Sequence, residues 1–315
     1  MRMNASDITA AAARIAPHIR ETPLWRVPSE ALGLPAGTPA FEAWLKLEHL
    51  QLSGCFKARG MFNRLLSNTI PAAGVIAASG GNAGIATALA ARALGVPAEV
   101  FVPKVSSPAK RARLAALGAR VVIAGEVYAE ALEACEARQR ETGALMTHAY
   151  DQPEVVAGAG TLARETELQL GGTPDAVLVS VGGGGLVGGI AAWFAGRTRV
   201  IALEPELAPT LYRARAAGEP VDVPVGGIAA DSLGARRIGR IAWEVTQRHV
   251  AAAELLTDAA IRAAQRFMWS ELKLAVEPAA ALPLAALQSG VVRPRAGDRV
   301  VLVVCGANLD PATLN

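Results

Sequence analysis

The sequence predicts an α/β protein with two open parallel-sheet domains, in which helices cover both faces of each sheet. Three observations support this prediction. Short, apolar, valine-rich segments alternate with longer segments of helical periodicity along the chain. A glycine follows four of the predicted helices, as is usual at helix ends. Two separate glycine-rich turns, at residues 79–84 and 182–185, each connect a strand to a helix, which indicates two sheet-containing units.

Seven apolar segments have the length and composition of buried strands. They are Phe41–Leu47, Gly74–Ala78, Ala98–Val102, Ala119–Ile123, Ala176–Val181, Arg199–Leu203 and Arg299–Val304. Six longer segments have the periodicity of helices, and one more helix is expected to begin at Lys57. The six are Asn82–Leu94, Pro108–Leu117, Glu126–Thr142, Pro153–Leu170, Leu186–Phe194 and Asp258–Leu274. The four glycines at helix ends are Gly95, Gly118, Gly143 and Gly171.

The order of these elements also predicts domain boundaries. We expect residues 71–150 to form a small domain, inserted between the two parts of a larger domain at residues 1–70 and 151–315. The larger domain would contain the turn at residues 182–185 and the last strand. A cleft between two domains is a common place for a ligand, so we expect the functional site there.

Composition and charge exclude several classes of protein. The chain has 315 residues, 52% of them hydrophobic, and a net charge of +3 with both signs interspersed, so no nucleic-acid surface is indicated. The basic cluster at residues 110–113 lies on a predicted helix and is most simply a solvated face. Cys55, Cys135 and Cys305 show neither metal-binding spacing nor a disulfide framework. The N-terminus lacks an apolar signal segment, so we expect a cytoplasmic protein without membrane contact.

The four consecutive glycines from Gly182 to Gly185 are the most informative feature. An uncharged, valine-rich strand precedes them and an apolar helix follows. A glycine turn at the start of a helix leaves backbone N–H groups free, and the positive end of the helix dipole adds to their attraction for anions. The turn therefore predicts a binding site for a phosphate group.

Two other interpretations of this segment must be weighed. The uncharged stretch at residues 176–196 is about as long as the ~20 residues of a membrane span. Its run of glycines would make a poor continuous helix, so we set the span aside. The pattern Gly183-x-Gly185-x-x-Gly188, with the acidic Glu204 about 20 residues further on, also fits a dinucleotide-binding dehydrogenase. The pattern is weak by itself, because any glycine-rich run produces it.

The turn Ser79-Gly80-Gly81-Asn82-Ala83-Gly84 is a second possible anion site. It links an apolar strand to a helix, and its small residues expose backbone N–H groups that suit a carboxylate as well as a phosphate. Alone, it is equally well explained as a tight turn in which Asn82 caps the helix.

Lys57 has the setting of a reactive amine. It follows Cys55 and Phe56 and opens a helix whose later positions are apolar. Burial and the helix dipole both disfavour a positive charge at a helix N-terminus. A neutral amine is what a Schiff base with a carbonyl compound requires, although most lysines are simply solvated surface residues.

Together these motifs resemble the serine/threonine dehydratases. These are pyridoxal-phosphate (PLP) enzymes of fold type II, with a fold like that of the tryptophan synthase β subunit, and serine racemases belong to the same group. The resemblance rests on residues 53–60 around Lys57, the turn at 79–84, the tetraglycine turn and Cys305-Gly306-Ala307-Asn308, in that order. It begins near Thr22 and covers nearly the whole chain.

The resemblance implies PLP contacts for several residues. Lys57 would carry the cofactor covalently and would be the catalytic base, while Phe56 would pack beside the cofactor ring. Asn82 would bind the 3-oxygen of the ring, Cys305 would lie by the pyridine nitrogen, and Glu277 would lie near the ring. The phosphate would be held by the N–H groups of Gly182, Gly183, Gly184 and Gly185.

The resemblance also implies substrate and cation contacts. Ser79, Gly80 and Ala83 would line the site of the substrate carboxylate, and His148 would lie on the substrate side. A lone histidine is otherwise more often a structural cap, and Glu277 before Pro278 could likewise cap a helix. Glu204 lies near the position of the family's monovalent or divalent cation site.

We therefore expect a PLP-dependent lyase of amino-acid catabolism that removes water from L-serine, L-threonine or a related β-hydroxy amino acid, giving a 2-oxo acid and ammonia. Its partners would be this substrate and a second copy of the chain in a homodimer. The main alternative is serine racemase. Related racemases have a serine just before Gly-Asn, whereas this chain has Gly80 just before Gly81-Asn82. A ligand sensor without turnover and a dehydrogenase are the remaining alternatives. Retention of Lys57 argues against the sensor, and bound PLP rather than a nicotinamide would exclude the dehydrogenase.

Overall fold

The computed structural model describes residues 3–314 and contains two separate β-sheets. The strands, in chain order, are β1 (Leu24–Pro28), β2 (Glu42–Lys46), β3 (Val75–Ala78), β4 (Ala98–Val102), β5 (Arg120–Ile123), β6 (Leu145–Met146), β7 (Ala176–Ser180), β8 (Arg199–Pro205), β9 (Val250–Leu256) and β10 (Arg299–Val303). Six of them form the large sheet, in the order β1-β2-β10-β7-β8-β9. The other four form the small sheet, in the order β5-β4-β3-β6.

The helices alternate with the strands and pack against the sheets. In chain order they are α1 (Ala5–Ile15), α2 (Lys57–Leu66), α3 (Asn82–Ala93), α4 (Pro108–Ala116), α5 (Tyr128–Thr142), α6 (Pro153–Leu170), α7 (Gly185–Phe194), α8 (Thr210–Ala217), α9 (Ala230–Leu233), α10 (Arg240–His249), α11 (Asp258–Ser270) and α12 (Pro278–Gln288). The four glycines that the sequence places at helix ends all have positive φ angles, as helix-terminating glycines do.

The last strand of the chain lies in the middle of the large sheet. In β10, Val301 pairs with Trp44 of β2 on one side and with Val177 of β7 on the other, both in parallel register. Only β1, at the edge, runs antiparallel to its neighbour within residues 3–314. Because parallel strands end on the same side, the segments that follow β7 and β10 emerge side by side.

The small sheet is parallel throughout, and all its strands lie within residues 75–146. Its helix layer is not confined to that range. Met61 and Phe62 of α2 and Val155 of α6 are buried in the same apolar cluster as Val75 of β3. Helix α2, which precedes the small sheet in the chain, therefore belongs to the helix layer of that sheet. The domain boundaries at residues 70 and 150 stay a prediction.

The observed sheets and helices confirm the predicted α/β class and all seven predicted strands, with small shifts of their ends. The sequence patterns missed β1, β6, β9 and several helices, of which α1 and α12 are the longest. Strand β1 is an edge strand with Arg26 and Pro28 exposed, and β9 contains three consecutive alanines, so neither has the valine-rich pattern of a buried strand. Helix α12 is buried almost all round and shows no polar face from which a helical period could be recognised.

The uncharged stretch at residues 176–196 is two short elements, β7 and α7, joined by the glycine turn. Within residues 3–314, no helix is both long enough and apolar enough to cross a membrane.

Candidate active site

Lys57 is the first residue of α2, and its amine lies in a cleft between the two sheets. Its Nζ donates a hydrogen bond to the carbonyl oxygen of Ala149 at 2.6 Å and lies 4.9 Å from the centre of the Phe56 ring. Burial lowers the pKa of the Lys57 amine to about 8, although the Glu277 carboxylate nearby favours its charged form. At neutral pH this amine therefore reaches its neutral form far more readily than a solvated lysine.

The tetraglycine turn forms the opposite wall of the cleft, between β7 and α7. Gly184 has φ of 89°, which a residue with a side chain rarely adopts. In the part of the chain that the structure describes, the N–H groups of Gly182, Gly183 and Gly184 donate no hydrogen bond within the protein. Three free N–H groups at the start of a helix are suited to a phosphate group.

Tyr150 covers this turn, and sequence reasoning missed it. A Cβ atom on Gly183 would lie 2.2 Å from the Tyr150 ring, and one on Gly185 would lie 3.0 Å from the Tyr150 carbonyl oxygen. Burial raises the pKa of the Tyr150 phenol to about 12, so the hydroxyl stays protonated. The only sequence signal was its position just after β6, and β6 has two residues and no recognisable pattern.

Asn82, Glu277 and Asn308 form a hydrogen-bonded group at the base of the cleft. The Asn82 carboxamide donates to the two oxygens of Glu277 at 2.9 and 3.1 Å and accepts a hydrogen bond from Asn308 at 2.5 Å. Burial raises the pKa of the Glu277 carboxyl to about 7. Neither Asn82 nor Glu277 caps its helix with its side chain, so the capping interpretation is wrong for both.

Cys305 follows β10 and is buried beside this group. Its backbone carbonyl accepts a hydrogen bond from the Phe56 N–H at 3.1 Å, which fixes the segment before Lys57 against the large sheet. Burial holds the pKa of the Cys305 thiol well above its usual value, so the thiol is neutral. Gly306 has no room for a side chain, because a Cβ atom there would lie 2.3 Å from Oε1 of Glu277.

The structure brings all the predicted cofactor residues together. They line one cleft between the two sheets. The lining includes Phe56, Lys57, Asn82, Gly182, Gly183, Gly184, Gly185, Glu277 and Cys305. Tyr150, Ser180 and Ser232 also line it and were not predicted.

The predicted substrate residues lie in two different places. Ser79, Gly80 and Ala83 belong to the turn between β3 and α3 that also carries Asn82. A Cβ atom on Gly80 would lie 2.9 Å from the Ser106 hydroxyl oxygen, so the space beside Gly80 is already occupied. His148 acts as a structural cap: its Nδ1 accepts hydrogen bonds from the N–H groups of Tyr150 at 3.3 Å and Asp151 at 3.0 Å. A substrate contact of His148 stays a prediction.

Glu204 lies outside the cleft lining, at the end of β8. Its buried carboxylate accepts hydrogen bonds from the hydroxyl of Thr210 and from the N–H groups of Leu211 and Tyr212, at 2.7–2.9 Å. It therefore binds the first turn of α8. Across residues 3–314, no three acidic, histidine or cysteine side chains are grouped as metal ligands would be. The predicted cation site at Glu204 stays a prediction.

The residues of the cleft fit PLP. The free N–H groups of residues 182–184 suit its phosphate, and Lys57 places an amine of lowered pKa in the same cavity. Cys305 offers a neutral thiol to a ring nitrogen, and Asn82 offers a carboxamide to a ring oxygen. Lys57 and the glycine turn are suited to the two functions that such a cofactor needs, covalent attachment and phosphate binding.

Comparison with known proteins agrees with this assignment. The family model described as "Pyridoxal-phosphate dependent enzyme" matches residues 15–306. The chain is 37% identical to phenylserine dehydratase of Ralstonia pickettii, over 98% of this chain and 94% of that protein. It is 34% identical to beta-hydroxyaspartate dehydratase of Paracoccus denitrificans, over 96% of each chain. The structure of maize serine racemase superimposes with a TM-score of 0.91 at 28% identity and covers 100% of this chain and 96% of that one. The chain belongs to the pyridoxal-phosphate-dependent enzymes, in their ammonia-lyase (dehydratase) group.

Proposed function

We propose that this chain removes water from L-serine, L-threonine or a related β-hydroxy amino acid and releases a 2-oxo acid and ammonia. The observation that carries the proposal is the position of Lys57. Its amine, with a pKa lowered to about 8, shares one cavity with the free N–H groups of the tetraglycine turn. When bound, PLP supplies an electron sink for the negative charge that develops at the substrate Cα.

Lys57 would have two roles in this reaction. Its amine would hold the cofactor covalently, and as a free amine it would take the proton from the substrate Cα as general base. A general base works best when its pKa is near the pH at which the enzyme operates, and burial brings Lys57 close to that condition. The hydroxyl then leaves from Cβ with a proton, as water. Hydrolysis of the resulting imine consumes one water molecule, so the net products of serine are pyruvate and ammonia.

The turn at residues 79–84 would bind the substrate carboxylate. Its backbone leads into α3, and the first N–H groups of a helix have no partner within the helix and suit an anion. Asn82, held by Glu277 and Asn308, would fix the position of this turn relative to the cofactor. Tyr150, whose ring lies over Gly183, would shield the phosphate site from water.

Racemase is the second candidate, because a racemase structure superimposes so well. A racemase needs a proton donor on the face of Cα opposite the lysine, and its relatives are expected to carry a serine just before Gly-Asn. Position 80 is a glycine here. Proton exchange at Cα would therefore rely on Lys57 from one face only, which favours elimination.

The experiment is a substrate panel with two lysine variants. The wild type, loaded with PLP, is incubated with L-serine, L-threonine and other β-hydroxy amino acids, and ammonia and 2-oxo acid are measured. We expect equal amounts of both products from at least one of them. Lys57→Ala should lose this activity and the visible absorption of the bound cofactor, while Lys104→Ala, which changes an exposed lysine paired with Glu126, should lose neither. Full activity of Lys57→Ala would disprove the mechanism.

The expected homodimer stays a prediction.

A further inference from the structure

A second cavity adjoins the cofactor cleft and is too large for the side chain of serine or threonine. Its volume is about 630 Å³. It shares Asn82, Ser232 and Glu277 with the cofactor cleft and opens in front of Gly81 in the turn proposed to bind the substrate carboxylate. The side chain of a substrate bound at that turn can reach this cavity. The groups that line it therefore bear on which side chain the enzyme prefers.

Two cations of α4 line this cavity. Lys110 and Arg113 are three residues apart and so lie on one face of the helix. The sequence interpretation of residues 110–113 as a solvated face is incomplete, because this face borders the cavity. Arg113 reaches the loop before α2, where its Nη2 lies 3.6 Å from the position that a Cβ atom on Gly54 would occupy.

The exposed Arg113 side chain forms no ion pair within residues 3–314, although Glu277 and Asp310 line the same cavity, whereas Lys110 is paired with Asp231. The Asp231 side chain is 64% exposed, so water can solvate its carboxylate if Lys110 turns to another anion. Arg262, on the opposite wall, is held by Gln265 at 2.7 Å and by the Thr313 carbonyl at 3.0 Å. The group available for a new ligand is thus Arg113, assisted by Lys110.

We propose that Arg113 and Lys110 bind an anionic group on the substrate side chain, so that the preferred substrates are β-hydroxy amino acids with a second carboxylate. This inference rests on the dehydratase reaction proposed above. A guanidinium presents N–H donors in a planar fork that matches the two oxygens of a carboxylate. The α-carboxylate would bind at the turn of residues 79–84 and the second carboxylate at α4. An apolar substituent would contact Ile85 and Leu309 in the same cavity but would leave Arg113 without a partner.

The first test compares L-threo-3-hydroxyaspartate with L-threonine on the PLP-loaded enzyme. We expect kcat/KM to be at least about tenfold higher for hydroxyaspartate, since one charge-assisted contact contributes about a factor of ten or more. Arg113→Met and Lys110→Met should each lower the ratio of the two kcat/KM values, Arg113→Met by about tenfold. The matched control is Arg92→Met, which removes an exposed arginine of α3 that does not line the cavity. It should leave the ratio unchanged. A wild-type preference for threonine or phenylserine, or an unchanged ratio in Arg113→Met, overturns the inference.

The second test does not depend on turnover. Succinate and butyrate have the same chain length but two carboxylates and one, and their binding to the loaded enzyme can be measured by calorimetry. We expect the wild type and Arg92→Met to bind succinate about tenfold more tightly than butyrate, and Arg113→Met to bind both alike. Equal binding to the wild type overturns the anion subsite even if ammonia is released. The wild type could prefer succinate, and lose that preference in Arg113→Met, while releasing no ammonia from any β-hydroxy amino acid. That result would support the anion subsite and disprove the dehydratase function.

Discussion

The Asn82 carboxamide donates a hydrogen bond to each oxygen of the Glu277 carboxylate, at 2.9 and 3.1 Å, and so joins the two sheets at the base of the cleft. Asn82 begins α3, which follows a strand of the small sheet, while Glu277 precedes α12, which packs on the large sheet. The position of the Asn82 side chain relative to the cofactor cleft therefore depends on a carboxylate of the other sheet. Charge on this carboxylate should affect both stability and cofactor binding.

Glu277→Gln should change the pH dependence of stability. The pKa of Glu277 is raised by burial from 4.5 to about 7, so the folded protein holds this proton more tightly than the unfolded chain does. The associated stabilisation is complete below about pH 4.5 and is lost as pH rises to about 7. In the variant, the side chain at position 277 is an uncharged amide at every pH. As pH rises, the free energy of unfolding of the variant should therefore increase relative to that of the wild type, by on the order of 3 kcal/mol at pH 8.

Urea unfolding of the cofactor-free protein at pH 5 and pH 8 measures this difference. Glu271→Gln is the control, since Glu271 is exposed, and its difference from the wild type should be the same at both pH values. A pH-independent difference for Glu277→Gln would contradict a raised pKa at this carboxyl.

Gly183→Ala should weaken PLP binding. A methyl group there would lie 2.2 Å from the Tyr150 ring, so either the ring or the turn must move, and the N–H groups of the turn would lose their alignment. We expect the Kd for PLP, measured by absorbance titration, to rise by about tenfold or more. Gly172→Ala is the control, because a methyl group there would meet only the Arg299 guanidinium, at 3.6 Å. Adding Tyr150→Ala to Gly183→Ala should recover part of the affinity, and no recovery would mean that Tyr150 is not the obstacle.

Gly80→Ser tests why elimination should exceed racemisation. The new side chain would collide with the Ser106 hydroxyl, 2.9 Å from the position of its Cβ atom, so it should be combined with Ser106→Ala. The double variant places a hydroxyl at position 80, and we expect D-serine to appear from L-serine together with slower release of pyruvate. Chiral chromatography gives the ratio of the two products, with Ser106→Ala alone as the control. If the unmodified enzyme already forms D-serine as fast as pyruvate, the assignment as a dehydratase rather than a racemase is wrong.

Arg59→Met should strongly destabilise the fold. The Arg59 guanidinium is fully buried and forms hydrogen bonds with Glu48 at 2.7 and 2.8 Å and with Glu165 at 2.9 Å. Its removal leaves the fully buried Glu48 carboxylate without its cation, a change that costs about 3–5 kcal/mol of unfolding free energy. Denaturant unfolding should also show that Arg59→Met with Glu48→Gln is less destabilised than Arg59→Met alone.

The control for this prediction is Arg240→Met, on α10. Arg240 pairs with Glu244 at 3.2 Å, and the two side chains are 75% and 41% exposed, so we expect a cost of at most about 1 kcal/mol. Equal costs for the two arginine variants would mean that the buried ion pair contributes no more than a surface one.

The sequence alone was enough to identify the α/β class, the strand before and the helix after each glycine turn, and Lys57 and the tetraglycine turn as the expected cofactor site. These features depend on local chemistry. Valine-rich runs form strands wherever they are buried, and glycines before a helix expose N–H groups whatever the surroundings. The same reasoning failed for β1 and β9, because an edge strand and an alanine-rich strand gain their stability from neighbouring strands and not from their own residues.

The tertiary structure decided which distant residues meet. Asn82 and Glu277 are 195 positions apart, and only the packing of α3 and α12 around one cleft shows that they bind each other rather than cap their helices. Tertiary packing also places Tyr150 over Gly183 and Arg113 beside Gly54. The period of a helix shows which residues share a face, but not whether that face borders solvent or a cavity. The relative placement of the two sheets determines whether the face borders solvent or a cavity.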